Sequence, residues 1–475
     1  MIQEKCPYVE KCGACHMGQT TYEEELIAKK ELVESHIGKY CRNIHDVAGM
    51  YYPFHYRNKV HAVFGRLKDE VIAGTYSEGT HTIVPIDNCL IEDAQASAII
   101  KTVTELVKSF KIWIYNEDTG RGVLRHVLVR KGMSTKQIMV VLVTACPEFP
   151  HKNNFVAELR KRHPEITTIV QNINEANTTM VLGERNKPLY GEGYIEDVLC
   201  GLRFRISPNS FYQVNSAQTQ VLYKKAIQAA GLTGKETVVD AYCGIGTIGM
   251  AMASKAGKVL GIELNRDAVK DAKANAKRNN LNNIHFVAAD ATEYLTSMAQ
   301  EGAKADVVVM DPPRSGSTEE FIQAVAQLAP ERVVYVSCNP ETLGRDLESF
   351  KKVKYRAVEA WTVAMFGWTV HVETVCLLSK LHEAKHHVNV RLDMDEMDIT
   401  SAESKTTYEE IKKYVAEHND GMKVTNLYIA QVKKKCGIIE RENYNKPKSE
   451  DEMQPQCPKD KEKAIMEALK AYKMI

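Results

Sequence analysis

From Thr237 onward the chain alternates short apolar runs with helix-length stretches. That alternation confines this part of it to a parallel sheet with helical crossovers. Thr237-Val238-Val239-Asp240-Ala241-Tyr242 reads as a buried strand, and Cys243-Gly244-Ile245-Gly246-Thr247-Ile248-Gly249 as the tight turn after it. Val259-Leu260-Gly261-Ile262-Glu263 is a second strand, ending in an acid. Further on, VVVM precedes Asp311-Pro312-Pro313-Arg314-Ser315-Gly316, and RVVY leads into Val336-Ser337-Cys338-Asn339. These two strand ends are expected side by side, facing the crevice where open α/β sheets bind their ligands. A thiol there is a candidate nucleophile.

The glycines of Gly244-x-Gly246-x-x-Gly249 allow backbone N–H groups to approach a nucleotide, and Glu263 is placed to accept from ribose hydroxyls. That much also fits a nicotinamide dinucleotide. Asp240 at the opening of the turn, and Asp290 at the end of the third strand where an adenine amine is read, favour S-adenosylmethionine (SAM). Cys243, also at a strand end, reads as packing.

The rest of the chain has to be organised around this sheet. At ~150 residues per domain, 475 residues suggest about three domains. A net charge of +1 excludes a polycation, so any nucleic-acid surface is local. The basic runs (Arg121, Arg125, Arg130 and Lys131; Arg160 to Arg162; Lys351 to Arg356; Lys433 to Lys435) are expected to be solvated faces. No stretch has the apolar length of a membrane span, and the start, MIQEKCPY, lacks an apolar signal core. The expectation is a cytoplasmic monomer without disulfides among its twelve cysteines. Cys6-x5-Cys12-x2-Cys15 suits a loop wrapped around a metal centre, with Cys89 as fourth ligand, and four thiolates fit either zinc or an iron–sulfur cluster.

The fold class expected is α/β, a SAM-dependent, Rossmann-like methyltransferase sheet beside a β-rich central domain. Residues 1–45 hold the cysteine loop and a helix over Tyr22 to Tyr40. Residues 46–204 form the β-rich domain with one helix, Ala94 to Phe110. The methyltransferase domain covers 205–385, entered through an amide-rich junction and a helix from Ser216 to Ala230. A polar linker, 386–405, leads to a helical module, 406–475, with a helix-turn-helix character about Asn419-Asp420-Gly421. That module suits either an RNA-binding appendage or a protein-contact module.

DPPRSG followed by VVYVSCN-x-x-T resembles the RNA (uracil-5-)-methyltransferases, most closely the iron–sulfur branch acting on 23S ribosomal RNA; the likeness spans about residues 1 to 382. The resemblance implies that Cys338 is the nucleophile and Glu373 the general base. It implies that Gln213, Tyr242, Glu263, Asp290 and Asp311 line the cofactor and target uracil. It also implies that Cys6, Cys12, Cys15 and Cys89 hold a [4Fe–4S] cluster. Other readings are a transfer-RNA T-loop target, a non-catalytic RNA-binding or assembly factor, and a dinucleotide-dependent redox protein. Three features depart from the family pattern. Ala364 and Gly367 stand where Asp and Pro are usual, Trp368 replaces a smaller polar or imidazole residue, and the N-terminal oligonucleotide-binding barrel of many relatives is missing. Gly367 is expected to loosen the segment that carries Glu373, and RNA grip is expected from the β-rich domain.

Overall fold

The computed structural model describes residues 6–68, 70–178, 180–381, 408–436 and 457–471. Residues 1–383 form one compact unit and 384–475 another. The first unit is built on two seven-stranded sheets.

One sheet comprises β1 (Lys59–Leu67), β2 (Glu70–Tyr76), β3 (Ile83–Pro85), β4 (Leu124–Lys131), β5 (Ile138–Thr144), β6 (Ile166–Ile173) and β7 (Arg185–Tyr190), in the order β3-β2-β1-β4-β5-β6-β7. Strand alternation divides its side chains between two cores. Val127, Val129, Val140 and Leu142 meet the helices Ala94–Ser109 and Lys152–Arg162, whereas Leu128, Met139 and Val141 join the core shared with the second sheet. The helix Lys152–Arg162 corrects the expectation of a single helix here. It buries only Phe155 and Leu159, which leaves little periodicity to read, and it is the crossover that parallel β5 and β6 require. Its Arg162 pairs with Glu158 and Glu105, as a solvated face would. Arg125 and Arg130 do not behave that way. They are 4% and 2% exposed, and donate to the carbonyls of Asn174 and Ser210 respectively.

After the hairpin β8 (Ile195–Leu199) and β9 (Leu202–Ile206), the helix Ser216–Ala230 leads into the second sheet. Its strands are β10 (Thr237–Ala241), β11 (Lys258–Glu263), β12 (Ile284–Ala288), β13 (Val307–Met310), β14 (Arg332–Ser337), β15 (Tyr355–Val363) and β16 (Glu373–Lys380). They lie in the order β12-β11-β10-β13-β14-β16-β15, with β16 antiparallel to β14 and β15. Helices cover both faces, which is why β10, β13 and β14 are continuous apolar runs. The strand order reverses between β10 and β13, so the crevice opens at their C-terminal ends.

At the N-terminal side, the helix Tyr22–Ile37 starts from a reciprocal cap between Thr21 and Glu24. In the second unit, the helices Tyr408–His418, Asn426–Lys435 and Lys459–Ala471 enclose Ile411, Val415, Ile429, Val432, Ile465 and Leu469. Asp420 and Gly421 make the turn at φ 46° and 78°. Lys433 is buried with its ammonium 4.5 Å from the centre of the Tyr408 ring, so this basic run is not wholly solvated. The expected linker lies outside the described residues. Among the described residues no helix is long and apolar enough to cross a membrane.

Candidate active site

The turn after β10 is shaped by one buried acid. Asp240 accepts the Gly249 N–H at 2.8 Å, and a Cβ on Gly249 would come within 2.7 Å of the same carboxylate. Burial pushes the Asp240 carboxyl up to about 7, opposed by that N–H. Glu263, at the end of β11, accepts from Gly244 N–H at 3.0 Å and Asn265 N–H at 2.7 Å, which aims the carboxylate at the mouth of the turn. Tyr242 sits at φ 62° and packs on Phe321 at 5.2 Å. Asp290 caps the helix Ala291–Gln300 with one oxygen, leaving the other for a ligand. Gln213 is buried, and its carbonyl accepts from Asn58 at 3.0 Å.

Asp311 follows β13 and Cys338 follows β14, adjacent parallel strands with Met310 level with Tyr335. Ser337 stands opposite Thr374 in the β14–β16 ladder, so the next residue on each side, Cys338 and Glu373, face one another. All three meet in the crevice with Arg314. Burial pushes the Glu373 carboxyl up to about 8, helped by Asp311 and opposed by Arg314. Burial holds Asp311 near 7. The Cys338 thiol is pushed up to about 11, by burial first and then by the Glu373 and Asp311 carboxylates, again against Arg314. The site therefore has a nucleophile, two carboxyls that exchange protons near neutrality, and one cation that favours the thiolate.

Arg314 was read from the sequence only as occupying the place of a stacking aromatic; its charge is what the geometry adds. The sequence reading missed Arg345 and Asp346. Asp346, buried in the helix Pro340–Lys352, accepts from Ser317 N–H and from the Tyr335 hydroxyl, both at 2.6 Å. Arg345 donates to the carbonyls of Ser315 and Ser317 at 2.9 Å. Together they pin the Asp-Pro-Pro loop. An adjacent Arg-Asp pair reads as surface polarity in a sequence, and nothing in its spacing reveals the loop it holds.

The segment before Glu373 is the reverse of loose. Lys29 donates to the Phe366 carbonyl at 2.7 Å, and the Tyr56 hydroxyl to the Gly367 carbonyl at 3.0 Å. The Trp368 N–H donates to Glu25 at 2.8 Å and its indole N–H to the Pro53 carbonyl at 2.9 Å. A Cβ on Gly367 would lie 2.8 Å from Met50 Cε, so the missing side chain answers close packing. Trp368 adopts a left-handed φ of 66° and is buried against Tyr22 and Phe54.

Trp368 also walls a hollow of about 340 Å³, open space included, into which Cys6, Cys15 and Cys89 face. Burial, with Cys6 and Cys12 adding to it, pushes the Cys15 thiol up to about 12; Cys89 is pushed as high by burial and Glu92. The four thiols thus lie around one space. Among the described residues, however, no three cysteine, histidine or acidic side chains converge on a point that could hold a metal ion. Cys243 is buried in the core.

Residues 181–381 match the tRNA (uracil-5-)-methyltransferase family. An uncharacterized RNA methyltransferase of Caldanaerobacter subterraneus is 41% identical over 383 residues, covering 80% of this chain and 85% of the relative. One from Halalkalibacterium halodurans is 41% identical over 381 residues, covering 79% and 83%. The tRNA (uracil-54, C5)-methyltransferase of Pyrococcus abyssi, solved with S-adenosyl-L-homocysteine, aligns with a TM-score of 0.64 at 28% identity, covering 77% of this chain and 86% of that one. With the catalytic crevice at the reversal point of its sheet and relatives matched over most of their length, the chain belongs to the RNA (uracil-5-)-methyltransferase family and is a SAM-dependent RNA methyltransferase.

Proposed function

We propose that this enzyme forms 5-methyluridine in 23S ribosomal RNA through a covalent bond between Cys338 and carbon 6 of the target uracil. The observation that carries this is the meeting of Cys338 and Glu373 across the β14–β16 ladder. Carbon 5 of uracil is a poor nucleophile. Addition of the Cys338 thiolate to carbon 6 turns the ring into an enolate, and carbon 5 then takes the electrophilic methyl group that SAM supplies. Glu373 removes the carbon 5 proton, the electron pair re-forms the ring double bond, and the carbon 6–sulfur bond breaks to release Cys338. Arg314 stabilises the thiolate before attack. Glu263 takes the ribose hydroxyls of the cofactor, Asp290 its adenine amine, and Gln213, Tyr242 and Asp311 line the cofactor and uracil. Incubation with SAM and 5-fluorouridine RNA is expected to give a denaturation-stable protein–RNA adduct that Cys338→Ala does not form. An unmodified wild-type protein would refute the covalent route.

The second reading, a transfer-RNA target, is favoured by the Pyrococcus relative, which is a tRNA enzyme. Mapping 5-methyluridine in ribosomal and transfer RNA from a deletion strain separates the two.

We further assign a [4Fe–4S] cluster to Cys6, Cys12, Cys15 and Cys89. Thiols spread around a hollow suit the corners of a cluster better than the single point of a zinc ion. Methyl transfer needs no redox equivalent, so its role is to brace the loop against Trp368. One zinc per chain in anaerobically purified protein would overturn this assignment.

A further inference from the structure

The first sheet buries cations for which the fold supplies no anion. Lys59, His61 and Val63 alternate on the face of β1 opposite the helix-covered Val60, Ala62 and Phe64. On β4 His126 stands beside Val63, and Arg130 beside Lys59. His61 and His126 stack at 4.9 Å between ring centres. His61 Nε2 and His126 Nδ1 have no hydrogen-bond partner, and Lys59 makes none among the described residues. The charges acting on Lys59 and the two imidazoles are other cations: Arg57, Arg130, Arg125 and one another. Together with burial they pull the Lys59 ammonium down to about 8. A charge left half-buried and unpaired is costly unless a partner arrives from outside.

The position of this patch says what that partner is. Asn58, next to Lys59, donates from its backbone to Val214 and from its side chain to Gln213 and Ser216, while Arg130 holds Ser210. The patch therefore abuts the junction that carries Gln213 into the crevice. Lys59 and His61 keep partial exposure and so remain within reach of a ligand.

We propose that Lys59, His61 and His126 form a phosphate-binding track that holds the RNA backbone beside the strand entering the crevice. Lys59 is the charged anchor, and the imidazoles donate N–H groups to phosphate oxygens. The proposal rests on RNA being the substrate and adds where its backbone is gripped.

Binding of the full chain to a fluorescein-labelled oligouridylate, read by anisotropy across a salt series, tests it. Lys59→Gln is expected to weaken binding at low salt on the order of tenfold, and to flatten the salt slope by about 0.7, the counterion release of one single-strand phosphate. Lys101→Gln makes the same charge change on the exposed side of the helix Ala94–Ser109, on the other face of the sheet, and is expected to alter neither. Because Lys59 has no partner, Lys59→Gln is expected to leave the Tm unchanged or raise it. Equal losses in both variants, an unaltered slope, or a Tm that falls with affinity would overturn the track. Failure of the substrate reading has another signature: wild-type protein would bind the probe yet methylate no ribosomal or transfer RNA.

Discussion

The two seven-stranded sheets bury opposite charges. The first holds Arg125, His126, Arg130 and the half-buried Lys59 without facing acids; the second holds Asp240, Asp311 and Glu373 at or near its strand ends. In each case burial disfavours the charged form, so the cations fall and the acids rise in pKa. The first arrangement is completed by a polyanion. The second suits a sulfonium-bearing cofactor and proton transfer near neutral pH. Neither charge set is assembled for stability; each is held by its sheet for a ligand.

The largest test of that contrast is Glu373→Gln. Turnover is expected to fall by roughly 10²–10⁴, the usual range for a lost general base, with RNA adduct accumulating because the carbon 5 proton cannot leave. The same substitution should stabilise the fold at alkaline pH. The Glu373 carboxyl is raised from 4.5 to about 8 in the folded state. The folded chain therefore binds more protons than the unfolded one between those values, and stability drops as pH rises through that window. Melting of wild type and Glu373→Gln should coincide near pH 4 and diverge by pH 9, the variant being the more stable. Coincidence at pH 9 would break the account of the second sheet.

Gly367→Ala comes next. Its methyl would meet Met50 Cε at 2.8 Å, and overpacking of this kind costs about 1–3 kcal/mol. It should lower Tm and turnover while leaving oligouridylate affinity at the wild-type value, since the first sheet is untouched. Glu263→Ala should weaken SAM binding by about 1–3 kcal/mol, because two ribose hydroxyls lose a charged acceptor; calorimetry with an unchanged affinity would remove Glu263 from the cofactor site. Arg314→Gln should have the smallest effect on the fold, and its signature is directional. Arg314 lowers both the thiol and the Glu373 carboxyl, so the rising limb of the pH–rate profile should move to higher pH.

What the sequence disclosed followed from whether the physics was local. The second sheet was legible because its strands are fully buried and its turns glycine-rich, so the thiol and the Asp-Pro-Pro turn could be set side by side before any geometry was known. Tertiary partners were not legible. Glu25 and Lys29 have the spacing of an ordinary surface pair on a helix, yet both are buried beneath the segment leading to Glu373. Arg125 and Arg130 looked solvated because a strand's alternation does not say which face another domain covers. Gly367 looked like slack because the close approach of Met50 is invisible from position 367.

The Glu25–Lys29 pair constrains how this protein can drift. Lys29 Nζ lies 2.5 Å from Glu25, and the two groups also hold Phe366 and Trp368. Losing either partner alone leaves a buried charge unpaired, at about 3–5 kcal/mol, a large share of what a domain has to spare. A lineage can therefore leave this pairing only by changing both positions together, or by first acquiring stability elsewhere. The two positions should be inherited as one character, linked to the shape of the segment they support.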